Sequence, residues 1–174
     1  ELKQFSTAFL TLYDELTPKD RIILADIFEK EKQNGIKLNF LNFNYTDCLD
    51  YFAKRISATP LATWDISTTT KRYFSVNPNV IHIHGTTATF PLLGVDNENQ
   101  ISNKDLLNIP RFKDILIKPQ SVEAIGQLWH SDATKTIANS RIICIFGMSL
   151  GITDGKWWTK ILNWLNQSDS RQLI

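Results

Sequence analysis

The chain is poor in the residues that mark specialised protein classes. It has two cysteines, Cys48 and Cys144, too few for a disulfide-stapled fold. Both read as reduced thiols, Cys48 on a helix and Cys144 as a small hydrophobe inside an apolar strand. Charge of neither sign is in excess: 19 Lys and Arg face 18 Asp and Glu, which implies neither nucleic acid nor an anionic membrane surface as partner. No apolar run approaches the roughly 18–20 residues that span a bilayer, and the N-terminus lacks the basic-then-apolar form of a signal peptide. The expected location is therefore cytoplasmic. Glycine is scarce, with Gly35 alone among the first 35 residues, so no glycine-rich turn can follow an early strand. The chain opens at Glu1 and its only methionine is Met148, from which a preceding segment is expected.

At 174 residues the chain is long enough for one core and short for two, which predicts a single domain over residues 1–174. Its first 35 residues read as helical. Phe5, Phe9, Leu12, Tyr13 and Leu16 recur at helical spacing until Pro18 stops the run. Thr17 then caps a second helix, with Pro18 at its first position, an apolar stripe of Ile23, Leu24, Ile27 and Phe28, and a stop at Asn34-Gly35.

Residues 36–166 are expected to form the sheet core. Strands are predicted at Ile36–Phe43, Asn79–His84 and Arg141–Phe146, with a further one at Pro91–Val95. Helices are predicted at Asp47–Ile56, with Leu49, Phe52 and Ile56 inward, at Val122–Asn139 with a break near Ser131, and at Thr153–Leu165. Ser67–Ser75, rich in Ser and Thr, reads as loop with room for one short strand, and Asp96–Pro119 as irregular with a short helix near Lys104–Leu107. Strands alternating with helices give an α/β fold, a Rossmann-like, mainly parallel sheet flanked by helices.

Three apolar segments run into small polar clusters: Leu38–Phe43 into Asn44-Tyr45-Thr46, Val80–Ile83 into His84-Gly85, and Ile142–Phe146 into Gly147-Met148-Ser149-Leu150. Ligands of open α/β sheets bind beyond the carboxyl ends of the strands, so the three clusters are expected to converge. His84, beside Gly85 at a strand end, is the expected general base, since imidazole titrates near neutral pH. Asn44 offers an amide that can hold a ribose hydroxyl or a water. Gly147, Ser149 and Asp154 lead into a helix N-terminus suited to an anion or hydroxyl, although Asp154 also reads as a plain helix cap.

Other readings stay open. His82 and His84 leave one face of a strand and could ligate zinc, though nothing at fixed spacing supplies a third ligand. Gly147-Met148-Ser149-Leu150-Gly151 matches the nucleophile elbow G-x-S-x-G, yet no histidine follows it to complete the usual order of the triad. A third reading is a non-catalytic partner-binding or sensing module whose contact surface is Trp157, Trp158 and Trp164, residues that equally suit a core.

Asn39 to Thr46, Val80 to Gly85 and Ile145 to Asp154, in that order, resemble the bacteriophage abortive infection AbiH family. The same blocks are distantly similar to sirtuin-like domains, in which an Asn after one strand, a His before a Gly and a Gly-x-Ser-Leu turn surround NAD. The resemblance implies phage defence and a nucleotide-directed hydrolase with NAD as substrate. Asn44 and His84 would be catalytic, and Tyr45, Gly85, Gly147, Ser149 and Asp154 would hold the nucleotide. No metal is expected, and homo-oligomers and partner proteins stay open. The departure is the missing glycine-rich strand-to-helix turn, and a core without that strand leaves an edge to be covered.

Overall fold

The computed structural model describes residues 15–30, 36–58, 61–65, 71–125, 128–148 and 151–174. These fall into two compact units. One comprises the described residues up to Phe40 together with Asp47–Val80; the other comprises Leu41–Thr46 and Ile81–Ile174.

In the first unit, helix α1 (Pro18–Lys30) begins as its sequence dictates. The Thr17 hydroxyl accepts from the Asp20 amide at 3.3 Å and donates to the Asp20 carboxylate at 2.6 Å, closing the first turn. Leu24 and Ile27 are buried from its stripe. Strand β1 (Ile36–Leu38) pairs in parallel with β4 (Lys71–Val76), and β4 pairs antiparallel with β3 (Leu61–Asp65), giving the order β1-β4-β3. Helix α2 (Cys48–Ser57) turns Ala53 and Ile56 inward, both fully buried, against Val76, with Phe52, Leu38, Phe40 and Val80 around them. The spacing of Phe52, Ala53 and Ile56 is that of a helix burying one face.

In the second unit, β2 (Leu41–Asn42) pairs in parallel with β5 (Ile81–His82), and β6 (Ile142–Ile143) pairs in parallel with β7 (Gln172–Leu173). Between β5 and β6 run two short 3-10 turns (Glu98–Gln100 and Lys104–Asn108) and the helices α3 (Phe112–Leu116), α4 (Lys118–Ile125) and α5 (Trp129–Asn139). A third 3-10 turn, Ile152–Asp154, leads into α6 (Gly155–Leu165). The core joins Ile83 to Ala133 and Ile137 of α5 and to Trp157, Ile161 and Trp164 of α6. Burial of each such large side chain contributes about 1.5–3 kcal/mol.

The α/β mixture with mainly parallel pairing is as expected, but the pairing is in short separate sets. The expected strand Ile36–Phe43 is interrupted at Asn39–Phe40, and Asn79–His84 and Arg141–Phe146 each narrow to two residues. Pro91–Val95 is no strand; Val95 makes a lone bridge to Ile117. Strand β4 (Lys71–Val76) takes the place of the one short strand expected within Ser67–Ser75, whereas β3 and β7 have no counterpart among the expected elements. The expected long helix is two, α4 ending at Ile125 and α5 beginning at Trp129, and Ser131 is helical. Cys144 is exposed beyond β6 and so is no core hydrophobe. The helix expected at Leu2–Leu16, the Asn34-Gly35 stop and Ser149 with Leu150 lie outside the described residues, apart from Glu15 and Leu16. No helix among the described residues is long and apolar enough to cross a membrane.

Candidate functional site

The site grows from the end of β5. The Ile83 amide donates to the Asn42 carbonyl at 2.8 Å, extending the β2–β5 pairing by one residue, and the chain then turns at His84. The turn needs glycine. Gly85 has φ +74°, and a Cβ there would stand 2.3 Å from the Phe90 carbonyl oxygen. Beyond it the Leu92 amide donates to the His84 carbonyl at 2.7 Å, the Tyr45 hydroxyl donates to the Leu92 carbonyl at 2.8 Å, and the Thr87 amide donates to the Tyr45 carbonyl at 2.9 Å. Two of the expected clusters, at Tyr45 and at His84-Gly85, are thereby laced together.

The His84 side chain enters the interior, 4% exposed as a residue. Phe43 meets its ring edge-on at 5.6 Å between centroids, and Tyr45 lies at 6.2 Å. Its Nε2 lies 2.8 Å from Oδ1 of Asp154, and the Lys118 ammonium lies 3.2 Å from the same oxygen. Asp154 occupies the N-terminal boundary of α6, but its side chain caps no amide of that helix. It is turned to His84 and Lys118 instead, so the plain cap does not describe it. The preceding 3-10 turn is held by Gln100, whose side chain donates to the Ile152 carbonyl at 2.8 Å and accepts from the Asp96 amide.

This arrangement settles the histidine's chemistry. A carboxylate only accepts hydrogen bonds, so Nε2 carries the proton and Nδ1 the lone pair. Burial, and next the Lys118 charge, lower the His84 pKa, while Asp154 partly opposes them. The ring is therefore neutral at pH 7, and among the described residues its buried Nδ1 has no hydrogen-bond partner. Burial raises the Tyr45 pKa and the Asp154 charge adds to it, so the phenol keeps its proton.

Lys118 was not singled out in the sequence. It opens α4 beside Ile117, its backbone amide donates to the Val95 carbonyl at 2.9 Å, and it is 9% exposed as a residue. No motif marks it, since only the fold carries it to Asp154. Asn42 is also buried and was unremarked: its amide donates to the Thr46 carbonyl at 3.2 Å, and its oxygen accepts from the Asn44 amide at 2.9 Å. Asn44 itself is exposed, and its hydrogen bonds run through the backbone, including the 3.4 Å approach of its carbonyl to Nδ1 of His82.

The third cluster is less closely drawn in. Gly147 is exposed with φ +62°, and no atom of the described residues lies within 4 Å of where its Cβ would be. Ser149, between it and Asp154, is outside the described residues. His82 and His84 go to different partners, and among the described residues no three His, Cys, Asp or Glu side chains gather as a metal site. Trp157 and Trp164 are buried and Trp158 is half-buried, so these tryptophans pack in and against the core.

Comparison with known proteins gives one match. The family model described as Bacteriophage abortive infection AbiH matches residues 2–174. No curated protein and no solved structure matches the chain.

Proposed function

The chain belongs to the bacteriophage abortive infection AbiH family, and from this premise we propose that it serves phage defence as a nucleotide-directed hydrolase with NAD as its substrate. The observation that supports the reading is the buried His84–Asp154–Lys118 cluster, with an unpartnered imidazole nitrogen beside Tyr45. A neutral imidazole with a free lone pair is a general base at working pH. Asp154 fixes its tautomer and stabilises the imidazolium that forms on proton uptake, and Lys118 keeps the cluster from carrying uncompensated negative charge.

In this reading the bond from ribose to nicotinamide breaks, and nicotinamide leaves neutral. Water adds to the anomeric carbon, and the released proton passes to Nδ1 of His84 and then to solvent. His84 acts on the water or on a ribose hydroxyl, and Asn44 orients either one. Tyr45, Gly85, Gly147, Ser149 and Asp154 border the nucleotide, on a Rossmann-like scaffold within one domain. Asp154 thereby acquires a second role, that of orienting the base.

The test is NAD consumption by the purified full chain, with phage protection scored in parallel. His84→Gln is expected to lower turnover about 10²–10⁴-fold, the usual contribution of a general base. Asp154→Asn is expected to lower it by less, because the amide oxygen can still accept from Nε2. Protection should fall with turnover. Absence of NAD consumption in the wild-type chain, together with full protection by His84→Gln, would overturn the enzyme and leave a sensing or partner-binding module.

A further inference from the structure

Next to the His84 site, three helices border a cleft of about 410 Å³. Glu123 comes from α4, His130, Thr134 and Lys135 from α5, and Lys156 and Lys160 from α6. The volume falls within the ~300–1,000 Å³ of small-molecule sites. We propose that this cleft binds a small molecule bearing an oligophosphate, held by the ammonium groups of Lys135, Lys156 and Lys160.

Three ammonium groups facing one carboxylate leave the lining cationic on a chain whose formal net charge is only +1. Lys156 and Lys160 stand one helical turn apart, a like-charge spacing that costs stability unless an anion lies between. Lys160 is half-buried and held in place: its ammonium donates to the Thr134 hydroxyl at 3.1 Å and lies 5.7 Å from the centroid of the Trp157 ring. Burial, and next Lys156, lower its pKa, a cost that a bound anion would reverse. Lys135 has one partner, Asp132 at 3.6 Å, in an exposed pair of little strength. Nε2 of His130 donates to the Ile83 carbonyl at 2.9 Å, fixing one wall.

An oligophosphate fits better than other anions. Lysine binds phosphate as a point charge without needing the planar match that carboxylates make with arginine, and the lining has no arginine. Three cations spread over three helices suit two or three linked phosphates more than a single one. The cationic patch is too small to be the footprint of a nucleic acid.

Titration calorimetry of the full chain with inorganic pyrophosphate, at constant ionic strength, tests the site. Binding is expected, weakening about tenfold in Lys156→Gln and in Lys160→Gln, and tightening in Glu123→Gln. Lys156 is exposed, so its substitution leaves packing untouched. His84→Gln should bind pyrophosphate as the wild-type chain does, which separates this site from the reaction proposed above. Absence of binding, binding by both lysine variants as tight as by the wild-type chain, or equal affinity for citrate would overturn the proposal.

Discussion

Gly85 and Gly147 both hold φ in the left-handed region, +74° and +62°, yet their surroundings differ. Among the described residues a Cβ at Gly147 meets nothing within 4 Å, whereas one at Gly85 would stand 2.3 Å from the Phe90 carbonyl oxygen and 2.8 Å from that of Thr89. Alanine at Gly147 should therefore cost only the backbone strain of that region, about 1–2 kcal/mol. At Gly85 the backbone of the Thr86–Phe90 turn must also move, so Gly85→Ala should lower the unfolding free energy by more, as read by denaturant titration. Since His84 precedes this glycine, the same substitution should displace the imidazole from Asp154. Equal losses at the two positions would show that the close approach at Gly85 is relieved freely. His84, Gly85 and Asp154 were legible as residues because histidine and aspartate carry recognisable chemistry at strand and helix ends. Lys118 was not, because a lysine in a polar stretch looks like any solvated one until the fold buries it.

The elements divide in the same way. Helices α2, α5 and α6 lie close to where periodicity puts them, since a helix's inward face is written in neighbouring residues and survives errors of a residue or two at the ends. Strands fared worse. β3 and β4 exist through pairing with each other and with β1, a partnership between distant segments that local composition does not encode, and the run Ser67–Thr70 between them reads as loop. The apolar run Arg141–Phe146 promised a long strand, but its pairing with β7 covers two residues, and Phe146 is 97% exposed. Helix α6 shows what a legible element rests on. Trp164 is 2% exposed, its indole donates to the Ser140 carbonyl at 2.9 Å, and the Arg171 guanidinium lies 5.4 Å from its ring centroid. Trp164→Ala should cost about 3–5 kcal/mol of stability. Trp164→Phe should cost less, keeping most of the apolar volume while leaving the Ser140 carbonyl without that donor. If thermal unfolding shows Phe as damaging as Ala, the hydrogen bond outweighs the packing.

For the whole molecule, acid stability follows from two histidines kept neutral by the fold. Burial lowers the pKa of His84, Lys118 adding to it, and burial likewise lowers that of His130, with Lys156 and Lys160 adding to it. An unfolded histidine titrates near 6.5, so below that pH the unfolded chain binds protons that the folded chain refuses. The stability these residues contribute is therefore complete above about pH 6.5 and is lost as pH falls toward their depressed folded values. Each histidine can add at most about 1.4 kcal/mol per pH unit to that slope. Denaturant titrations of the wild-type chain between pH 7.5 and 5.5 should show the unfolding free energy falling on the acid side, and His84→Gln should flatten the fall by one histidine's share. His130→Gln should remove the other share, and the two shares are coupled, because the His130 charge is among the causes that lower the His84 pKa. A slope unchanged in both variants would mean that the rings titrate in the folded chain as they do in the unfolded one, and the argument that burial holds the proposed base neutral would fail.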